Sequence, residues 1–203
     1  MRPDLLLVAA FSLATSALSA QAVHQKNLLI TMGVGAGLVS LNSPTEVLRL
    51  DQGQCGAVRI AFGYALSDRW SLGMHYDRIG TTDHPGPVQR FRLTTYLLEG
   101  SYRPIIGKRG AVELSAGIGP SVLALTPTNG RLPARSNHGS LAFGLRYVYV
   151  ISGTIGAYLA GDIAAGNEAD LAIEGAPVTD EQGKTVRTSW NSQRLGAGLV
   201  VRF

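Results

Sequence analysis

The chain has 203 residues, of which 45% are hydrophobic and only 16% charged, with 25 glycines and a net charge of +4. Charge lies well below the quarter of residues usual in a soluble domain, and no basic block or aromatic-interleaved patch marks a nucleic-acid surface. Cys55 is the single cysteine, which excludes an internal disulfide, argues against a metal–thiolate cluster and leaves it as a small buried or loop-edge residue.

In chain order, residues 1–22 read as a cleaved signal peptide. Arg2 gives a weakly positive start, Leu5 to Ala14 an apolar run, and Ala20-Gln21-Ala22 a small-x-small cleavage site before Val23. The apolar run is too short for a spanning helix, which needs roughly 20 residues. Residues 23–203 then form one domain by length.

Eight segments of that domain alternate apolar and small or polar residues with period two: about 28–39, 56–66, 69–79, 91–102, 111–123, 139–150, 154–164 and 193–203. Glycine is too frequent in them for amphipathic helices. Each has about the roughly 9–11 residues of a tilted membrane-crossing strand. Connections alternate as well. Ser67-Asp68, 103–110 and 151–153 are short, and the others are longer and polar, 165–192 being the longest. Short periplasmic turns and long extracellular loops are the pattern of a transmembrane barrel. With lipid unable to satisfy a sheet edge, the strands must close on themselves. The expected fold is therefore all-β, an eight-stranded antiparallel up-and-down transmembrane barrel.

One face of the strands carries residues such as Met32, Val34, Phe62, Leu72, Leu98, Phe143 and Leu159, placed toward lipid. Tyr64, Trp70, Tyr102, Tyr149 and Phe203 fall at the expected periplasmic rim, where aromatics form a girdle. The other face is glycine-rich and suits the narrow interior of eight strands. A soluble barrel would reverse the faces, but the strands contain no lysine to meet water.

The interior face also carries Arg59, Arg146, Arg194 and Arg202 with Asp77, Glu99, Glu113 and Asp162, four of each sign, and His75. Folding the hairpins on paper sets Arg59 opposite His75 and Asp77, and Glu99 opposite Glu113 with Arg146 bridging both acids. Asp162 and Arg194 fall together near the extracellular ends of their strands. The expected role is a structural charge network plugging the lumen rather than a Glu99–Glu113 acid/base pair.

Gly33-Val34-Gly35-Ala36-Gly37 lacks the spacing and following helix of a phosphate-cradling loop. His24, His75, His84 and His138 show no metal-ligand spacing, and neither metal nor cofactor is expected. His138-Gly139-Ser140 places an imidazole and a hydroxyl on one strand face. The order resembles the His-x-Ser pair of outer-membrane lipid A deacylase barrels. Position 152, where that resemblance looks for a glutamate, is serine, and Asp162 is the nearest replacement acid.

The leader, the Leu66-Ser67-Asp68-Arg69-Trp70 turn and the terminal Leu199-Val200-Val201-Arg202-Phe203 carry a wider resemblance. Through them the chain resembles the small eight-stranded, porin-like outer-membrane barrels of the OmpA/OmpX type. The resemblance implies the outer membrane of a Gram-negative-type bacterium. Its implied partners are outer-membrane lipid, lipopolysaccharide and, through Phe203, the barrel-insertion machinery. The expected function is a non-enzymatic structural or surface-interaction barrel. A narrow pore for small solutes and a lipid A-modifying enzyme using His138 and Ser140 are the alternatives.

Overall fold

The computed structural model describes residues 27–43, 50–81, 88–127 and 133–203. The signal peptide expected at 1–22, and His24 and His84, lie outside the described residues. Eight long strands form the wall: β1 (Leu28–Asn42), β2 (Leu50–Ala65), β3 (Trp70–Thr81), β4 (Val88–Ile106), β5 (Gly110–Pro127), β6 (Ala134–Val150), β7 (Ile155–Asp170) and β10 (Arg187–Arg202). A small hairpin, β8 (Ala172–Ile173) and β9 (Ala176–Pro177), lies between the last two. Each long strand pairs antiparallel with its neighbours. The barrel closes where β1 meets β10, from Leu29 opposite Arg202 to Asn42 opposite Ser189.

Two short turns share one device. Ser67 Oγ accepts from Trp70 N at 3.1 Å, and Ser152 Oγ accepts from Ile155 N at 3.2 Å. A serine hydroxyl thus satisfies a backbone donor that the tight turn leaves unpaired. In the third, Gly107 N donates to Gly110 O at 2.7 Å.

The residues read as lipid-facing do point outward. Val34 is 68% exposed, Leu159 65% and Phe62 55%, a band of apolar surface that water would penalise and lipid accepts. Trp70 stacks against Tyr102 at the short-turn rim, ring centroids 4.6 Å apart.

The strands are longer than expected, above all at the long-loop end. The expected loop 165–192 shrinks to 171–186, because β7 runs to Asp170 and β10 begins at Arg187. A sixteen-residue strand spans roughly 50 Å along its length, so even when tilted it projects beyond the hydrocarbon. There the pattern inverts. Phe91, Leu93, Leu123, Leu125, Ala134 and Trp190 are buried inside, whereas Arg90, Arg92, Arg135 and Asn137 face out. Above the bilayer the wall meets water, so the apolar residues turn inward.

Candidate functional site

The interior has three levels. In the middle lies a charge network, at the long-loop end an apolar plug, and at the short-turn end a cavity.

Asp77 on β3 is the hub of the network. Arg59 on β2 grips it with two hydrogen bonds, Nε to Oδ1 at 3.0 Å and Nη2 to Oδ2 at 2.9 Å. Arg194 on β10 donates to the same Oδ1. Both arginines also reach Asp162 on β7, Arg59 Nη1 at 3.2 Å and Arg194 Nη2 at 2.7 Å. Two cations and two anions thus alternate around a square. Side-chain exposures of 5–10% place all four out of water, where forked guanidinium–carboxylate contacts are needed to offset desolvation.

His75 links this square to a second group. Its Nδ1 lies 2.8 Å from Glu99 Oε2, and its Nε2 lies 3.1 Å from Asp77 Oδ2, out of line for a hydrogen bond. Arg146 approaches Glu99 at 3.6 Å and donates to Glu113 Oε1 at 2.9 Å. Its guanidinium also lies 5.1 Å from the centre of the Tyr158 ring. Arg103 donates to the other oxygen of Glu113 at 3.0 Å. The network spans every long strand except β1, whose inward Gly33, Gly35 and Gly37 leave room for it.

Three sequence expectations need correction. Glu99 does not face Glu113. The register sets Glu99 opposite Gly117 and Glu113 opposite Arg146, because β4 runs on to Ile106 and the chain reverses only at 107–109, later than a turn over 103–110 would place it. This avoids two like charges directly across strands, a destabilising pair. Asp162 and Arg194 pair as expected but sit in mid-barrel, because their strands run on past them. Arg103, assigned from sequence to a turn, points inward and is 8% exposed. Among the described residues the lumen therefore holds five arginines, not four, against the four carboxylates named from sequence. The period-two series Glu99, Ser101, Arg103 was the signal that could have placed it.

Above the network, Val39, Leu41, Ile79, Leu93 and Leu123 pack with Trp190, under Leu171 and Val186 from the 171–186 segment. These side chains are at most 4% exposed. Beside them sits a polar cluster. His138 Nδ1 is 2.7 Å from the Asn167 carbonyl oxygen, which can only accept, so Nδ1 carries a proton. For a neutral ring, Nε2 then accepts from Ser136 Oγ at 2.7 Å. Thr188 Oγ1 donates to Ser136 Oγ at 3.2 Å. The imidazole is thus paired with Ser136, not with the expected Ser140, whose Oγ donates instead to Ser121 Oγ at 2.6 Å. Asp162 is taken up by Arg59 and Arg194. Ser136 is 2% exposed and His138 3%, so the pair has the tautomer of an activated hydroxyl without an approach for substrate.

No family model matches the chain, and no curated protein matches it. Solved structures do. Neisserial surface protein A aligns with a TM-score of 0.59 at 16% identity, covering 86% of this chain and 97% of its own. The outer membrane protein AlkL aligns at 0.55 and 13% identity, over 91% and 94%. OprG from Pseudomonas aeruginosa aligns at 0.54 and 13%, over 89% and 97%. The fold is that of the small outer-membrane β-barrels. At such identities the likeness carries architecture alone, and activity must be read from the site.

Phe203 ends the barrel at the short-turn rim. Its backbone exchanges hydrogen bonds with Leu28 at 2.9 and 3.2 Å, and its ring is 59% exposed. Cys55 lies inside β2 and its Sγ contacts the Gly37 carbonyl oxygen at 3.1 Å. Among the described residues no cluster of metal-ligating side chains occurs.

Proposed function

We propose that the chain is a non-enzymatic barrel of the bacterial outer membrane that presents its long-loop end outside the cell as an interaction surface. The observation that carries this reading is the lumen closed at two levels. A buried charge network fills the middle, and an apolar plug seals the long-loop end. Among the described residues the side chains at both levels are almost wholly buried, which speaks against the narrow pore. The buried Ser136–His138 pair, without an acid or an approach, speaks against a lipid A-modifying activity of His138 and Ser140.

The outer surface supports the orientation. Arg78, Arg90, Arg92 and Arg135 are exposed on the wall of β3, β4 and β6. The register sets Gly80, Arg92, Ala124 and Arg135 in one row across β3 to β6, above the apolar band. Arginines at that height meet a headgroup layer, where forked donors suit the phosphates of lipopolysaccharide.

The lumen reading predicts that the folded protein gives no stable single-channel current in planar bilayers. Large, steady unitary conductance would replace it with the pore. The orientation predicts that an epitope inserted at Gly183 is labelled on intact cells. Gly183 is exposed, with φ 79°, in the turn of residues 179–185 that Asp180 holds by accepting from Gln182 N and Lys184 N. Exposed turns of this kind tolerate insertion. Labelling only after permeabilisation would invert the topology and put the arginine row in the other leaflet.

A further inference from the structure

Between the charge network and the short turns lies a cavity of about 280 Å³, whose wall includes Asp68, Gly107 and Gly110 of the turns themselves. Its charges are not balanced as those above it are. Glu113 is already held by Arg103 and Arg146, and Glu99 by His75 and Arg146. Arg202, on the same wall, has no side-chain hydrogen bond or ion pair among the described residues. Asp68 is the other carboxylate lining the cavity, and it sits exposed in its turn, where water screens it. Arg146 is about nine-tenths buried, yet its Nε–H finds no partner. Ser71 and Ser101 add inward hydroxyls to the wall. A half-buried guanidinium and an orphaned N–H are both costly unless something supplies acceptors.

We propose that this vestibule binds a small oxyanion, a phosphate or carboxylate group, with Arg202 as its charged anchor and Arg146, Ser71 and Ser101 as further donors. The volume holds such a group with a few waters, taking about 30 Å³ for each water. Arginine suits the task because its planar fork matches an oxyanion edge. The site belongs to the barrel interior and stands whichever way the barrel faces.

The same chemistry is carried by a free solute and by a phospholipid headgroup at the rim, so the experiment has two arms. The full-length folded barrel in a non-ionic detergent is titrated by calorimetry with inorganic phosphate, chloride holding ionic strength constant. In parallel it is titrated with dihexanoyl phosphatidylglycerol. Saturable phosphate binding on the order of 1 mM is expected, weakened about tenfold in Arg202→Gln. Arg187→Gln, at the opposite end, serves as control and is expected to bind as the wild type does. Arg202→Lys keeps the charge and loses the fork; it is expected to bind between wild type and Arg202→Gln, and guards against a variant that fails to fold. Binding of the phospholipid alone, with the same dependence on Arg202, would identify the headgroup as the source. Absence of saturable binding in both arms, or equal affinity in wild type and both Arg202 variants, would overturn the site.

Discussion

Asp77→Asn is expected to lower the unfolding free energy by about 3–5 kcal/mol, the usual cost of leaving a buried charge without its partner. Arg59 and Arg194 both converge on this carboxylate and would be left sharing Asp162. The measurement is urea unfolding of the barrel refolded into lipid vesicles. A loss under about 1 kcal/mol, in the range of an exposed pair, would show that water reaches the network and compensates. Arg146 provides the contrast. Sequence pairing made it the sole counter-ion of Glu99 and Glu113, so that removing it would strand both acids. The structure supplies Arg103 to Glu113 and His75 to Glu99. Arg146→Gln should therefore cost clearly less than Asp77→Asn.

Gly198→Val should abolish the compact, heat-modifiable form on gels. Gly198 lies directly opposite Gly33 in the seam where the last strand meets the first. A Cβ there would fall on the Met32 carbonyl oxygen and within 2.7 Å of the Tyr158 ring. The main obstacle is backbone held in the ladder, so no rotamer change relieves it. The cost should exceed the roughly 1–3 kcal/mol typical of an overpacked side chain. Gly56→Val is the matched control, because a Cβ at Gly56 meets nothing within 4 Å. A normal gel shift for Gly198→Val would mean that the seam can spread, and the glycine-lined β1 face would lose its steric explanation.

The sequence by itself determined the number of strands, their direction and which face meets lipid. These follow from short-range chemistry. Period-two alternation separates Phe62 and Leu159 from Arg59 and Asp162, and the serine turns at 67 and 152 fix where strands reverse. It also placed Asp77 and Arg59 across from one another, because only a tight turn separates their strands. Beyond the bilayer the same reasoning fails. Outside the hydrocarbon the solvent changes, so Phe91, Leu93 and Trp190 turn inward while Arg92 and Arg135 turn out, and an apolar-out pattern no longer marks the strand.

Only the tertiary structure decided the rest. Arg103 follows Tyr102 and precedes Pro104, which locally reads as a turn; its inward aim depends on β4 continuing to Ile106 through a register irregularity. The extension of β4 to Ile106, which delays the turn to 107–109, also separates Glu99 from Glu113. Asp162, 103 residues from Arg59 in the chain, meets it because closure of the barrel brings β7 across from β2. His138 takes Ser136 rather than Ser140 because the Asn167 carbonyl of β7 fixes its ring. Which charges pair, and which arginine remains unpaired above the short turns, are properties of a closed ring of strands. Alternation along one strand carries the direction of a side chain, but its partner across the lumen is set by closure and register.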